Sequence, residues 1–478
     1  MSDPKPNLIG GAWRPGEGAP NACPSDLSLT LGAYARGTRA DALDAIAAAK
    51  AAFPAWSRSA PLTRHAILRK AADEILARRE ELGRLLSLEE GKTLPEGIGE
   101  VTRAGQIFDF FAGECLRLSG ELLPSVRPGV GVEITREAVG VVGIITPWNF
   151  PIAIPAWKIA PALCHGNTVV FKPADLVPGS AWALVDILHR AGLPEGVLNL
   201  VMGRGSVVGQ AIVESPDVTA LTFTGSRQTG EALAQASARL MRKVQFEMGG
   251  KNPFVVLKDA DLDVAVEAVV NGSFFSTGQR CTASSRIIVE QAVYAPFLAA
   301  VKARLEALTT GHALETGTDI GPVVDESQLA QDLDYIARGQ GEGARLVTGG
   351  ERVSRATEGF FLTPALFADC TNQMTIARDE IFGPVAAVIP VRDYDEALSL
   401  ANDTPYGLSA GIATTSLKHA SHFKRNAQAG MVMVNLPTAG VDFHVPFGGT
   451  KGSSHGPREQ GRYAAEFFTS IKTAYQQP

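Results

Sequence analysis

From about residue 139 to residue 240 the chain alternates short apolar runs with amphipathic ones, and few architectures accept that rhythm. Residues 139–146, 168–172, 197–201 and 218–223 each have the length and apolar character of a buried strand. Residues 154–165, 180–191, 206–214 and 228–240 between them have helical spacing. Strands that alternate with helices in this way form a parallel sheet covered by helices on both faces, because parallel strands need a crossover connection. Such sheets bind dinucleotides outside the carboxyl ends of their strands. A second alternating stretch begins at Phe254-Val255-Val256-Leu257 and continues to about residue 435, which predicts a second α/β unit. Helices are expected over residues 40–52, 62–86 and 99–118, and two strands over 120–142. The tail at 463–475 alternates weakly, as a strand pairing with another element or subunit would.

Composition removes several functional classes. The 478 residues suit two or three domains. A net charge of −6 lacks the basic excess of a general nucleic-acid binder, so no nucleic-acid partner is expected. The five cysteines, Cys23, Cys115, Cys164, Cys281 and Cys370, are widely spaced and form no C-x-x-C pair. Neither a zinc ribbon nor a disulfide framework is expected, and no metal site; free thiols point to a reducing, cytoplasmic setting. The first residues lack the basic start and apolar core of a secretory signal. The longest apolar stretch, 138–145, is too short to span a bilayer, so no membrane partner is expected.

Four segments carry residues suited to chemistry. Thr146-Pro147-Trp148-Asn149-Phe150-Pro151 follows a strand and fixes an amide, which can donate to an oxyanion, between two prolines. Thr222-Phe223-Thr224-Gly225-Ser226-Arg227-Gln228-Thr229-Gly230 closes a strand and opens a helix, where backbone N–H groups can meet a pyrophosphate. Glu247, at the end of a strand before Met248-Gly249-Gly250-Lys251, is placed to act as a general base. Cys281 stands beside Arg280 in Gly278-Gln279-Arg280-Cys281-Thr282, and a cysteine next to a cation is a candidate thiolate of lowered pKa. Each segment alone also has an ordinary structural explanation: a turn, an N-cap, a solvated carboxylate, a buried thiol.

Taken together and in order, with Phe171-Lys172-Pro173-Ala174-Asp175, Glu380-Ile381-Phe382-Gly383-Pro384-Val385 and Pro446-Phe447-Gly448-Gly449-Thr450-Lys451, these segments resemble the aldehyde dehydrogenase superfamily over nearly the whole chain. The resemblance implies a Rossmann-like cofactor domain (1–117 and 138–247), an α/β catalytic domain (248–435), and a small β oligomerisation arm with its tail (118–137 and 455–478). It makes Cys281 the nucleophile, Glu247 the general base and Asn149 the oxyanion donor. Ile145, Thr146, Pro147, Trp148, Lys172, Asp175, Gly225, Ser226, Gly230, Glu380 and Phe382 take the cofactor positions. A carboxylate at Asp175 favours NAD, whereas Lys172 and Arg227 leave NADP open. The stretch 434–449 and the ending Arg458-Glu459-Gln460-Gly461-Arg462-Tyr463 resemble 2-oxoglutarate semialdehyde (2,5-dioxopentanoate) dehydrogenases. An oxo-acid substrate calls for a guanidinium to hold its carboxylate, and Arg280 with Phe447 is the expected substrate wall, Arg280 being equally suited to a structural ion pair. Arg103 and Arg117 are the other arginines near the expected channel. Trp157 and Phe275 stand where succinate-semialdehyde dehydrogenases, the alternative, carry arginines. The resemblance further implies a homodimer or homotetramer.

Overall fold

The computed structural model describes residues 3–478. Its centre is an eight-stranded sheet. Five strands are parallel, in the order Lys243–Glu247, Ala220–Thr224, Val141–Ile145, Thr168–Lys172, Leu198–Leu200. The chain lays down Val141–Ile145 first, builds outward to one side, then returns to add strands on the other. The order therefore reverses between Val141–Ile145 and Ala220–Thr224, and the crevice at their carboxyl ends is where a parallel sheet admits a ligand. The three innermost strands are buried almost throughout, as expected of strands covered on both faces.

Antiparallel additions close both edges: Ser454–His455 on one side, Asn7–Ile9 and Ala12–Arg14 on the other. Of residues 455–478, expected in the arm and tail, His455 pairs with this sheet beside Ser454, whereas Thr469–Gln476 join the arm. The N-terminal edge strands and the hairpin Glu17–Cys23/Asp26–Arg36 were not foreseen.

The second sheet has seven strands, six of them parallel, in the order Ala365–Ala368, Val385–Val391, Ser284–Glu290, Asn252–Val256, Ser409–Ala413, Met431–Val434, with Arg345–Thr348 antiparallel at one edge. A third sheet of three antiparallel strands, Glu121–Pro124, Gly131–Ala138 and Thr469–Gln476, leaves Leu122, Leu123, Ile471 and Tyr475 exposed. The stretch 62–86 breaks at Arg78 into two helices, Pro61–Ala77 and Arg79–Glu90. They pack with Leu94–Glu114 and Ala153–Cys164 around Phe108 and Phe111, which are buried core rings. Among the described residues no helix is long and apolar enough to cross a membrane.

Candidate active site

The carboxyl ends of the first sheet deliver three of the motifs to one place. Val141–Ile145 runs into Thr146–Asn149, Ala220–Thr224 into Gly225–Ser226, and Lys243–Glu247 into Met248–Gly249. Ser226 is the N-cap of the helix Arg227–Arg239, its hydroxyl accepting from the Thr229 N–H. A cavity of about 300 Å³ opens here, lined by Pro147, Trp148, Gly225, Ser226, Glu380 and Phe382, with Asn149 and Cys281 at its floor. Trp148 and Phe382 meet edge to face, their centroids 5.3 Å apart. Gly249 is glycine of necessity: a Cβ there would stand 1.7 Å from Glu380 Oε2. Glu380 Oε1 accepts from the Gly250 N–H at 2.9 Å, and burial pushes this carboxyl up to about 7.

Ile145, Thr146, Lys172, Asp175 and Gly230 do not line this cavity. Lys172 lies on the neighbouring strand, opposite Ile145, and donates to Asp175 at 3.1 Å. Gly230 serves packing, since a Cβ there would stand 2.3 Å from the Met248 sulfur. The hydroxyls of Thr146 and Thr224 are buried with no protein partner, and Thr224 lines the cavity. The unmet Thr224 hydroxyl, the capped helix N-terminus at Ser226 and the Glu380 carboxyl on this lining fit a nicotinamide dinucleotide.

Cys281 sits between the helix Leu262–Phe274 and the strand Ser284–Glu290. The connection passes through three left-handed residues, Ser276 (φ 50°), Thr277 (φ 56°) and Gly278 (φ 65°). Cys281 is partly accessible, whereas the other four cysteines are buried. Its carbonyl accepts from Asn252 Nδ2 at 2.8 Å. The expected lowered pKa is not found. Burial first, and then the carboxylates Glu380, Glu247 and Glu459, push the thiol up to about 12. The reason is the direction of its neighbour: the Arg280 guanidinium turns to Glu96 Oε1 (3.2 Å), Ser276 Oγ (2.9 Å) and the Asn271 carbonyl (3.3 Å). Arg280 is thus ion-paired, while still lining the wall of a second cavity.

Asn149 is fixed from both ends. Its Nδ2 donates to the Gln279 carbonyl at 2.9 Å, and its own carbonyl accepts from Lys92 Nζ at 2.8 Å. Lys92, fully buried, pairs with Glu100 at 2.7 Å and lies 3.8 Å from the centre of the Phe150 ring. Glu100 in turn accepts from the N–H groups of Ile152 and Ala153, at the start of the helix Ala153–Cys164. None of this support was visible in the sequence.

Glu247 is buried and lines neither cavity. It accepts from Ser454 Oγ, and a Cβ on Gly448 would come within 2.6 Å of it. Burial and the nearby Glu459 hold its carboxyl well above the usual range. Glu459 pairs with buried Lys158, which also donates to Thr222 Oγ1 at 2.7 Å.

The second cavity, about 370 Å³, reaches Cys281 together with Phe447, Trp157, Phe150, Val441, Arg103 and Arg280. Phe447 and Trp157 stack with centroids 5.5 Å apart. Arg103 lines this space and, among the described residues, forms no hydrogen bond or ion pair. Cys281 is the single residue common to the two cavities. A larger hollow of about 590 Å³ lies beside the arm, against Arg136, His165 and Arg462; Arg117 lines that one, away from Cys281.

A partly accessible thiol lining two chambers, with an amide and a buried carboxylate nearby, is the arrangement that the fold brings together. The chain belongs to the aldehyde dehydrogenase family, enzymes that oxidise aldehydes with a nicotinamide dinucleotide; the family's sequence model matches residues 13–474. Among curated proteins it is 44% identical to an alpha-ketoglutaric semialdehyde dehydrogenase of Bacillus subtilis, over 99% of this chain and 98% of that one. It is 41% identical to a 2,5-dioxopentanoate dehydrogenase of Saccharolobus solfataricus, over 95% of each. Among solved structures it matches an NADP-dependent enzyme of E. coli with a TM-score of 0.96 at 34% identity, covering 100% of this chain and 98% of that one. It also matches a betaine aldehyde dehydrogenase of Staphylococcus aureus in complex with NAD+ (TM-score 0.97, 32% identity), covering 99% and 95%.

Proposed function

We propose that this enzyme oxidises 2,5-dioxopentanoate (2-oxoglutarate semialdehyde) to 2-oxoglutarate with NAD or NADP, as a step in sugar or sugar-acid breakdown. The observation that carries the reading is the pair of cavities meeting only at Cys281. One suits a dinucleotide. The other is lined by Arg103, a cation near Asp442 and Glu100 that forms no hydrogen bond or ion pair among the described residues and so can meet a distal carboxylate. The names of the Bacillus and Saccharolobus relatives support the same substrate.

In this reading Cys281 Sγ bonds to the aldehyde carbon. The oxygen that becomes negative meets Asn149 Nδ2 and the Cys281 N–H, each such donor lowering the barrier by about 3–4 kcal/mol. The thiol proton passes to Glu247. Both groups bind protons more tightly than usual, so the transfer is more nearly balanced than one to an ordinary carboxylate. The dinucleotide, when bound, accepts the hydride. Glu247 releases that first proton to solvent and then takes one from water as the water oxygen bonds to the acyl carbon; the C–S bond breaks, the sulfur leaves as thiolate, and it regains its proton from Glu247. The charges of Glu459 and Lys158 act on Glu247 in opposite directions, Glu459 favouring its protonated form and Lys158 its carboxylate. Pro147, Trp148, Gly225, Ser226, Glu380 and Phe382 hold the dinucleotide near Cys281; Ile145, Thr146, Lys172, Asp175 and Gly230 shape the rest of its seat.

Phe447 and Trp157 flank the substrate chain. Arg103 holds its carboxylate, with Arg280 as the charged wall behind. The chain is read as a cofactor domain (1–117, 138–247), a catalytic domain (248–435) and an arm with a tail (118–137, 455–478). The exposed apolar side chains of the arm belong in a homodimer or homotetramer, and the free thiols in the cytoplasm.

The test is steady-state oxidation of 2,5-dioxopentanoate, succinate semialdehyde and a neutral aldehyde of similar length, each with NAD and with NADP. Cys281→Ala is expected to abolish turnover. Arg103→Ala is expected to cut kcat/KM for the dioxo acid by about 10–100-fold, mainly through KM, and to spare the neutral aldehyde. A wild-type preference for the neutral aldehyde would defeat the substrate assignment.

A further inference from the structure

The turn that delivers Cys281 is costly. Ser276 and Thr277 both take left-handed backbone angles that side chains disfavour, and Thr277 is β-branched. Such a conformation persists only where the surroundings over-determine it. Thr277 Oγ1 donates to the Gly321 carbonyl at 3.1 Å, and at Ser276 one side chain supplies the contacts. Glu96 Oε1 accepts from the Ser276 N–H (2.8 Å), from Ser276 Oγ (3.0 Å) and from Arg280 Nη2 (3.2 Å). Its Oε2 accepts from the N–H (3.0 Å) and hydroxyl (2.9 Å) of Thr93, closing the capping box of the helix Leu94–Glu114. The two oxygens of one carboxylate thus tie a helix start to a segment 180 residues away in sequence. Glu96 and Arg280 both line the cavity that ends at Cys281, so the tie forms part of the wall facing the substrate.

We propose that Glu96 is a positioning residue for Cys281: its reach to the Ser276 N–H holds the left-handed turn that aims the sulfur. The proposal rests on Cys281 being the nucleophile. Its decisive contact is a backbone N–H, which any acceptor at the right distance satisfies. Length at position 96 therefore matters more than charge. Glu96→Gln keeps the reach and loses the charge; Glu96→Asp keeps the charge and withdraws the acceptor by one methylene.

The experiment measures alkylation of Cys281 by iodoacetamide, read by mass spectrometry on the peptide that carries it, alongside kcat and KM for the preferred aldehyde. In Glu96→Asp, alkylation and kcat are expected to fall by about tenfold or more with KM within about threefold, the scale a misplaced reacting group produces. Glu96→Gln is expected to stay within about threefold of wild type in both. The reverse order, equal losses in both variants, or wild-type rates in both with only the melting temperature lowered would overturn the proposal. Cys281→Ala is run beside them. If it still turns over aldehyde, the assignment of the nucleophile fails, which is a separate result from any pattern at Glu96.

Discussion

The two parallel sheets use opposite ends. The first presents its carboxyl ends to the site, through Thr146–Asn149, Gly225–Ser226 and Glu247–Gly249. The second presents its amino ends: Asn252 opens one strand, Cys281 precedes Ser284–Glu290, and Phe382 precedes Val385–Val391. Its own carboxyl ends are sealed. There Asp259 accepts from the Thr414 and Thr415 hydroxyls, Asn435 and Thr414 bond each other, and Glu290 accepts from the Lys258 N–H. At the working amino edge a buried oxygen of Asp332 has no partner. Left-handed residues stand at both edges, Ser276, Thr277 and Phe382 at this one and Asp369 and Asn435 at the other. The crevice at the carboxyl ends therefore belongs to the first sheet, and the second sheet meets it with the amino edge that carries the thiol.

The comparison is sharpest at Asn149, the amide offered by the first sheet. Asn149→Ala is expected to lower kcat by about 10²–10³-fold, as the loss of one oxyanion donor does, with little change in melting temperature. A kcat within about threefold of wild type would remove Asn149 from the chemistry. At the sealed end the expectation reverses. Asp259→Ala leaves kcat and KM unchanged and costs roughly 1–2 kcal/mol of stability through unmet hydroxyls, read as a lower denaturation midpoint. A loss of activity there would show that the carboxyl ends of the second sheet take part after all.

The smallest effect concerns Asp332, packed against Gly383 under the amino edge. Burial pushes its carboxyl up to about 8. Because the fold prefers the neutral form, the associated stability is complete below about pH 4 and is lost as pH rises through about 8. Asp332→Asn removes that dependence. Its melting temperature should match wild type near pH 4 and exceed it by a few degrees near pH 9. An equal gap at both values would assign the effect to packing rather than to ionisation.

The alternating units were legible in the sequence because strands buried on both faces read as unbroken apolar runs, and the helices between them show their period. The edge strands Asn7–Ile9 and Ala12–Arg14 escaped notice, being three residues each and separated by two glycines. Motif order pointed to Cys281, Asn149 and Glu247, but neighbours in sequence misled at Arg280. The guanidinium that looked like a partner for the thiol faces Glu96, a residue distant in sequence. The expected helix start at residue 99 passed over the capping box Thr93–Glu96, and that the same carboxylate spans to Ser276 has no local record in the sequence. The Lys92–Glu100 pair under Asn149 was hidden for the same reason.

That the chambers share only Cys281 has a pharmacological consequence. An inhibitor shaped to one chamber has no overlap with the occupant of the other, and against that occupant it will act without competing for space. Only a reagent that modifies the thiol intrudes on both, so potency gained by filling either side and potency gained by capturing the cysteine can be tuned as separate properties of one molecule.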